Sequence, residues 1–324
     1  MRAASRSHPL RDRFEASLLN LFIALIRVLP MRASVRFGEW LGGAIARVDR
    51  GRREVALSNL ELAYGAALTA PERAAVVRAV YRHLGRFLFE YLLLLTHRDL
   101  RPLSRFLEFE NLDLARATVA EHGAAIFVTL HQGHWELLGG AFSELVTPLH
   151  AVMTPMRNPR LNAIVRSLRA DLGIKLIQRD QAVPHLFRHL RRGDSVALLC
   201  DLNHKEGPDY AEFFGVPAAT VRTPGVLAVR TGKPLVCATS WSVGGVLRYR
   251  GRFAPPILPR PGADPDAESH RIVVEMNRQL ERFVREHPEQ WNWIHPRWES
   301  RPRPAGPPAA GADGDAPADR GADR

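Results

Sequence analysis

Apolar positions fall into two regimes along the chain. From about residue 10 to 95 they recur at helical spacing. In the run that opens at Pro71, Val76, Val80, Leu84, Phe87, Leu88 and Tyr91 form one stripe, with Thr69 as an N-cap. From about residue 105 short apolar runs alternate with helical segments. The pattern predicts strands over Ala124–Leu130, Leu149–Met153, Ile174–Ile177 and Ser195–Cys200. It predicts helices over Trp135–Leu145, Pro159–Leu172, Ala182–Arg191, Thr223–Arg230 and Asp266–Glu286. Leu235–Trp241 and Val246–Phe253 read as paired strands joined through Gly244 and Gly245.

Strands alternating with helices indicate an α/β fold. The expectation is a mixed, largely parallel central sheet flanked by helices, preceded by a helical, membrane-associating N-terminal region. Residues 1–32 are expected to be the anchor, 33–302 the main domain, and 303–324 a disordered tail rich in Pro, Gly, Ala and Asp.

Charge sharpens the N-terminal reading. The chain carries 45 Lys+Arg against 34 Asp+Glu, a formal net charge of +11, and only Lys175, Lys205 and Lys233 are lysines. Such a balance favours an anionic partner. Residues 1–60 hold 11 Arg and 5 acids. They surround Phe14–Leu29, whose longest uncharged part runs only from Ala16 to Ile26. A spanning helix needs about 20 apolar residues, so the composition fits an interfacial anchor on an anionic leaflet. The basic arms ahead of it also outline a signal peptide, but no small-x-small cleavage site follows. The two cysteines, Cys200 and Cys237, exclude a disulfide framework and a cysteine-based zinc site.

The leading chemical candidate is TLHQGHWELLGG, Thr129–Gly140, where a buried strand ends and a helix begins. Open α/β sheets place their sites at such strand ends. His131 and Glu136 stand in the spacing H-x-x-x-x-E. The pairs His189/Asp194, His204/Asp209 and His270/Glu275 share a His–acid spacing of five, but only His131 follows an apolar strand. In one chemistry Glu136 fixes the imidazole tautomer and His131 removes a proton from a substrate hydroxyl. In another, His131, His134 and Glu136 ligate a metal with Asp201 or His204, giving a hydrolase. The chain lacks G-x-S-x-G, G-x-x-x-x-G-K-[ST] and G-x-G-x-x-G motifs. No nucleic-acid-binding module is recognisable, and the non-enzymatic alternative is a basic peripheral membrane or nucleic-acid binding protein.

HQGHWELLGG resembles the H-x-x-x-x-[DE] block of the bacterial lipid A biosynthesis acyltransferases, within the lysophospholipid/glycerolipid acyltransferase-like group. Four further blocks carry the resemblance in order. They are NLELAYG from Asn59, MTPMRNPRL from Met153, DLNHKEGPDYAEFFGVPAAT from Asp201, and HPEQWNWIHPRWESRP from His287. Together they cover roughly residues 10–302.

The resemblance implies a metal-free O-acyltransferase domain over residues 33–302. The donor would be an acyl thioester on acyl carrier protein or coenzyme A, with no other cofactor. The acceptor would be a glycolipid hydroxyl at the cytoplasmic face of the inner membrane, with no nucleic-acid partner. His131 would be the base and Glu136 its orienting acid. Asp201 matches an acidic position and is expected among the substrate-binding residues. Thr154 stands where the family often has Arg. Arg157, Arg166 and Arg169 are therefore expected to hold the acceptor's phosphates, or the acceptor differs, as in the phosphatidylinositol mannoside acyltransferases.

Overall fold

The computed structural model describes residues 9–153, 157–178 and 182–302. The expected tail and Thr154 lie outside them.

Four helices lead: α1 (Pro9–Val28), α2 (Met31–Val48), α3 (Arg50–Tyr64) and α4 (Ala70–Thr96). A capping box at Thr69 and Glu72 starts α4, as the Thr69-x-Pro71 signal predicts. The layered part follows: β1 (Leu107–Phe109), α5 (Leu112–His122), β2 (Ile126–Thr129), α6 (Trp135–Leu145), β3 (His150–Met153), α7 (Pro159–Asp171), β4 (Lys175–Gln178), α8 (Ala182–Arg191) and β5 (Val196–Leu199). Then come β6 (Asp209–Phe213), β7 (Val216–Thr220), α9 (Thr223–Thr231), β8 (Leu235–Ser242), β9 (Tyr249–Phe253) and α10 (Pro265–Glu286).

The main sheet has the order β1-β9-β8-β2-β5-β3-β4. Every pair is parallel except β8–β9, the antiparallel pair predicted around Gly244 and Gly245. Its central strands are buried on both faces, so they read as continuous apolar runs rather than alternating ones. On β2, Ile126 and Val128 pack with α9 and α10 residues such as Leu227 and Met276. Phe127 packs on the other side with Leu137 and Phe142 of α6.

The α2–α4 crossing is set by glycine. A Cβ on Gly42 would lie 2.1 Å from the Tyr81 carbonyl oxygen, and one on Gly85 would lie 2.1 Å from that of Gly38. The helix backbones touch directly, which no larger residue permits.

Among the described residues no helix is long and apolar enough to cross a membrane. Yet α1 exposes Leu10, Phe14, Leu21 and Val28. Its inner side is tied to α7 by Asn158, whose amide donates to the Asp12 carbonyl (3.1 Å) and to Glu15 Oε2 (2.9 Å). The Asn158 side-chain oxygen in turn caps the first turn of α7 at the Arg160 N–H (2.9 Å).

Gly42→Ala should destabilise the protein by about 1–3 kcal/mol in urea unfolding, because the methyl group meets fixed backbone. That sign is opposite to the roughly 1 kcal/mol that helix propensity alone would add in favour of Ala.

Candidate active site

Strand alignment builds the site. β2 and β5 are parallel neighbours, with Thr129 opposite Leu199. Two residues past those aligned ends stand His131 and Asp201. Asp201 Oδ1 lies 2.8 Å from His131 Nδ1, and Asp201 Oδ2 accepts from the His131 backbone N–H at 2.8 Å. The Trp291 indole N–H donates to the same Oδ2 at 2.8 Å.

An ionised carboxylate only accepts, so the proton of the His131–Asp201 bond sits on Nδ1. In the neutral ring Nε2 then carries the lone pair. The Asp201 side chain is fully buried, while that of His131 is 21% exposed. Burial alone would raise the Asp201 carboxyl. The His131 charge and the three hydrogen bonds outweigh it and hold the group below the usual carboxylate range. Behind it lies Arg297, buried, donating to the Leu202 and Ala219 carbonyls and to Thr220 Oγ1. Burial lowers Arg297 to about 10.

The loop between β2 and α6 is clamped from several sides. Gly133 has φ +58°, and a Cβ there would lie 1.9 Å from the Ser240 carbonyl oxygen. Its N–H donates to Gln290 O (3.2 Å). Its carbonyl accepts from His83 Nε2 (3.1 Å). Gln132 donates to the Phe283 carbonyl and accepts from Thr239 Oγ1. Asn292 N–H donates to the His131 carbonyl at 3.1 Å. The segment around Gln290–Asn292 thus holds both the backbone of the loop and the carboxylate beneath it. From the other end of the chain, Asn59 donates to the Trp293 and His295 carbonyls at 2.8 and 2.7 Å.

The residues expected from sequence are placed as follows. His131 stands at the strand end, as expected. The pairing with Glu136 was expected at the imidazole; the hydrogen bond at Nδ1 is to Asp201, because β5 is the strand beside β2. Asp201, expected among the substrate-binding residues, is a fully buried carboxylate bonded to His131 and Trp291. Glu136 is buried in the first turn of α6 and lines an apolar cavity. Arg157 and Arg166 are exposed, at the foot of α7 and along it; the Arg169 side chain lies outside the described set.

Among the described residues His134 belongs to no grouping of three metal-ligand side chains. It is fully buried, its Nδ1 accepts from the Leu137 N–H at 3.2 Å, and it caps α6. Among the described residues no three-ligand cluster contains His131.

The cavity lies between α6 and the sheet. Apart from Thr129 and Glu136 its lining is apolar. Strand direction orients it. Thr129, Trp135 and Glu136 stand at the strand C-terminal ends, next to His131, whose ring meets Trp135 edge-on at 5.0 Å. Leu149, Ala151 and Ile174 lie deeper, at the strand beginnings.

A profile described as bacterial lipid A biosynthesis acyltransferase matches residues 3–300. The lipid A biosynthesis palmitoleoyltransferase of Escherichia coli (strain K12) is 28% identical over 264 residues, covering 80% of this chain and 83% of that protein. The lipid A biosynthesis lauroyltransferase of the same strain is 26% identical over 282 residues, covering 86% and 89%. The crystal structure of the 1-acyl-sn-glycerophosphate acyltransferase of Thermotoga maritima aligns with 80% of this chain and 99% of its own, at 11% identity and a TM-score of 0.39.

Burial beside the site makes stability depend on pH. It lowers His83 to about 4 and His134 to about 3, so both are neutral in the native state. In the unfolded chain they protonate near 6.5. The unfolded state therefore binds more protons below that value, and the stability present above it is lost on acidification. Denaturant unfolding should show stability falling between pH 6.5 and 4, by up to about 1.4 kcal/mol per pH unit for each of the two histidines. A flat profile from pH 7 to 5 would contradict this assignment.

Proposed function

Starting from the fact that the chain belongs to the bacterial lipid A biosynthesis acyltransferase family and is an acyltransferase, we propose that it acylates a lipid A precursor or related glycolipid with His131 as general base. The observation that carries this reading is the His131–Asp201 pair at the aligned ends of β2 and β5, beside an apolar cavity.

The donor is a fatty acyl thioester on acyl carrier protein or coenzyme A, and the acceptor is a glycolipid hydroxyl. His131 Nε2 takes the hydroxyl proton as the oxygen attacks the thioester carbonyl. Asp201 stabilises the imidazolium so formed. The tetrahedral intermediate collapses with cleavage of the C–S bond, and the imidazolium returns its proton to the leaving thiolate. Product ester and free thiol balance the step. The substrate supplies the nucleophilic oxygen, so no side-chain nucleophile is required.

The acyl chain enters the cavity with its carbonyl at the Thr129–Glu136 mouth and its methyl end toward Leu149 and Ile174. Apolar burial contributes about 0.8 kcal/mol per methylene, so a channel of fixed depth discriminates chain length. Glu136, at the mouth, positions the reacting groups. Arg157, Arg166 and Arg169 of the α7 region bind the acceptor's phosphates.

α1 lies in the interface of an anionic leaflet, at the cytoplasmic face of the inner membrane. The exposed stripe of Leu10, Phe14, Leu21 and Val28 beside Arg11 and Arg13 supports this placement.

His131→Ala should lower acyl transfer by at least about a hundredfold without unfolding the protein; full activity in the folded variant would sink the mechanism. Asp201→Asn removes the charge that stabilises the imidazolium formed in the step, so acyl transfer by the folded variant should fall at least about tenfold. Ala151→Phe should shorten the preferred chain, read by mass spectrometry of products from mixed acyl donors.

A further inference from the structure

A second histidine–acid pair lies at the other end of the sheet. His189, in the last turn of α8, and Asp194, in the turn before β5, are bonded through Nδ1 and Oδ2 at 2.9 Å. The Asp194 N–H donates to the His189 carbonyl at 3.0 Å, which fixes the turn between them. His150, the first residue of β3, stacks its ring on that of His189 with centroids 3.7 Å apart. One candidate ligand atom from each of the three lies within 4.8 Å of the others, a grouping found at this one place among the described residues. His150 is 94% buried, at 6% exposure, and its Nδ1 has no hydrogen-bond partner. Leaving such a nitrogen unpaired costs about 1–3 kcal/mol.

We propose that His150, His189 and Asp194 bind a divalent transition-metal ion of the zinc class, at a site separate from the catalytic histidine. Zinc bonds of about 2.0–2.1 Å to nitrogen and oxygen set tetrahedral ligand edges of about 3.3–3.4 Å. The His189–Asp194 separation is already close to such an edge. The candidate atoms lie within 4.8 Å of one another, so metal binding requires side-chain rotation that shortens the edges to His150. Two imidazoles and one carboxylate leave the fourth position to water.

The protonation states suit this use. Burial, and then the charges of His189 and Lys175, push His150 towards its neutral, ligating form. The hydrogen bond from His189 holds the Asp194 carboxyl below its usual range, as an anion. Lys175, at the head of β4, is the cation that opposes a metal here, and Asp194 is the charge that offsets it.

His131 and Asp201 follow strand C-terminal ends, whereas His150 opens β3 and Asp194 precedes β5. At about 3.3 Å per residue the path from Asp194 to Asp201 is at most about 23 Å. The metal would join α8, β3 and the turn into β5. It would sit directly behind Leu149 and Ala151 at the deep end of the apolar cavity.

Binding displaces the proton shared by His189 and Asp194, so affinity should rise with pH. The test uses the full chain, untagged and stripped with chelator. Titration with Zn2+ by calorimetry should give one site, with a rise in melting temperature. Co2+ should give the visible absorption of a tetrahedral site. His189→Ala and Asp194→Asn, both partly exposed positions, should each weaken Zn2+ binding at least about tenfold and remove the cobalt band. His131→Ala should leave both unchanged. The proposal is overturned if the wild-type chain takes up no Zn2+, or if uptake survives in folded His189→Ala and Asp194→Asn.

Discussion

A single buried carboxylate organises the centre of this molecule. Asp201 is out of water, and a carboxylate in that position is tolerated only with strong compensation. Its compensation consists of the His131 backbone N–H, the His131 ring and the Trp291 indole. The partners come from two stretches of chain, His131 after β2 and Trp291 after α10, so neutralising the charge joins both to the end of β5. Removal of any one donor leaves the others to carry a desolvated anion. The Nδ1–H tautomer of His131 is thus a by-product of satisfying Asp201, and the bonds that stabilise the carboxylate also fix the imidazole.

Much of the architecture was legible because it rests on local periodicity. The parallel strands after residue 120, the helices α6, α8 and α10, and the antiparallel β8–β9 pair follow from apolar runs and turn residues near their predicted bounds. The β6–β7 hairpin was missed. Its exposed positions, such as Tyr210 and Pro217, break the apolar run that marks a buried strand. The partner of His131 was missed for a different reason. Which strand lies beside β2 depends on sheet order, and β3 and β4 intervene in sequence before β5. A signal was present all the same. AAIFVTL and SVALLC are the two most apolar strands, and each runs directly into a titratable residue, His131 or Asp201. Arg297 was illegible, since nothing local marks an arginine whose guanidinium replaces water with carbonyl oxygens.

The family blocks of the sequence, scattered over the chain, turn out to share neighbourhoods. Asn59 of the first block holds the carbonyls of Trp293 and His295 in the last. Asn158 of the MTPMRNPRL block holds α1 against α7. These amides act as spacers between elements rather than as reagents. Their side chains offer two donors and an acceptor with no charge, which suits a joint buried between helices. The arginine-rich composition has a comparable division. A few guanidiniums are committed internally, as in Arg297 and the Arg86–Glu90 pair at 3.2 Å, while most remain at the surface and face whatever anion the enzyme meets.

The clamp formed by Gln290, Trp291 and Asn292 has a bearing on how the enzyme comes into being. Translation delivers residues from the N-terminus, so β2 and the His131 loop emerge more than 150 residues ahead of the segment that fixes them. Until Trp291 and Asn292 leave the ribosome, Asp201 lacks its indole partner and the loop lacks its last backbone bonds. A nascent chain that lacks this segment therefore carries His131 on a loop that is not yet clamped. The fixed geometry at His131 is therefore reached only after β8, β9 and α10 have been made, because the residues that clamp it follow all three.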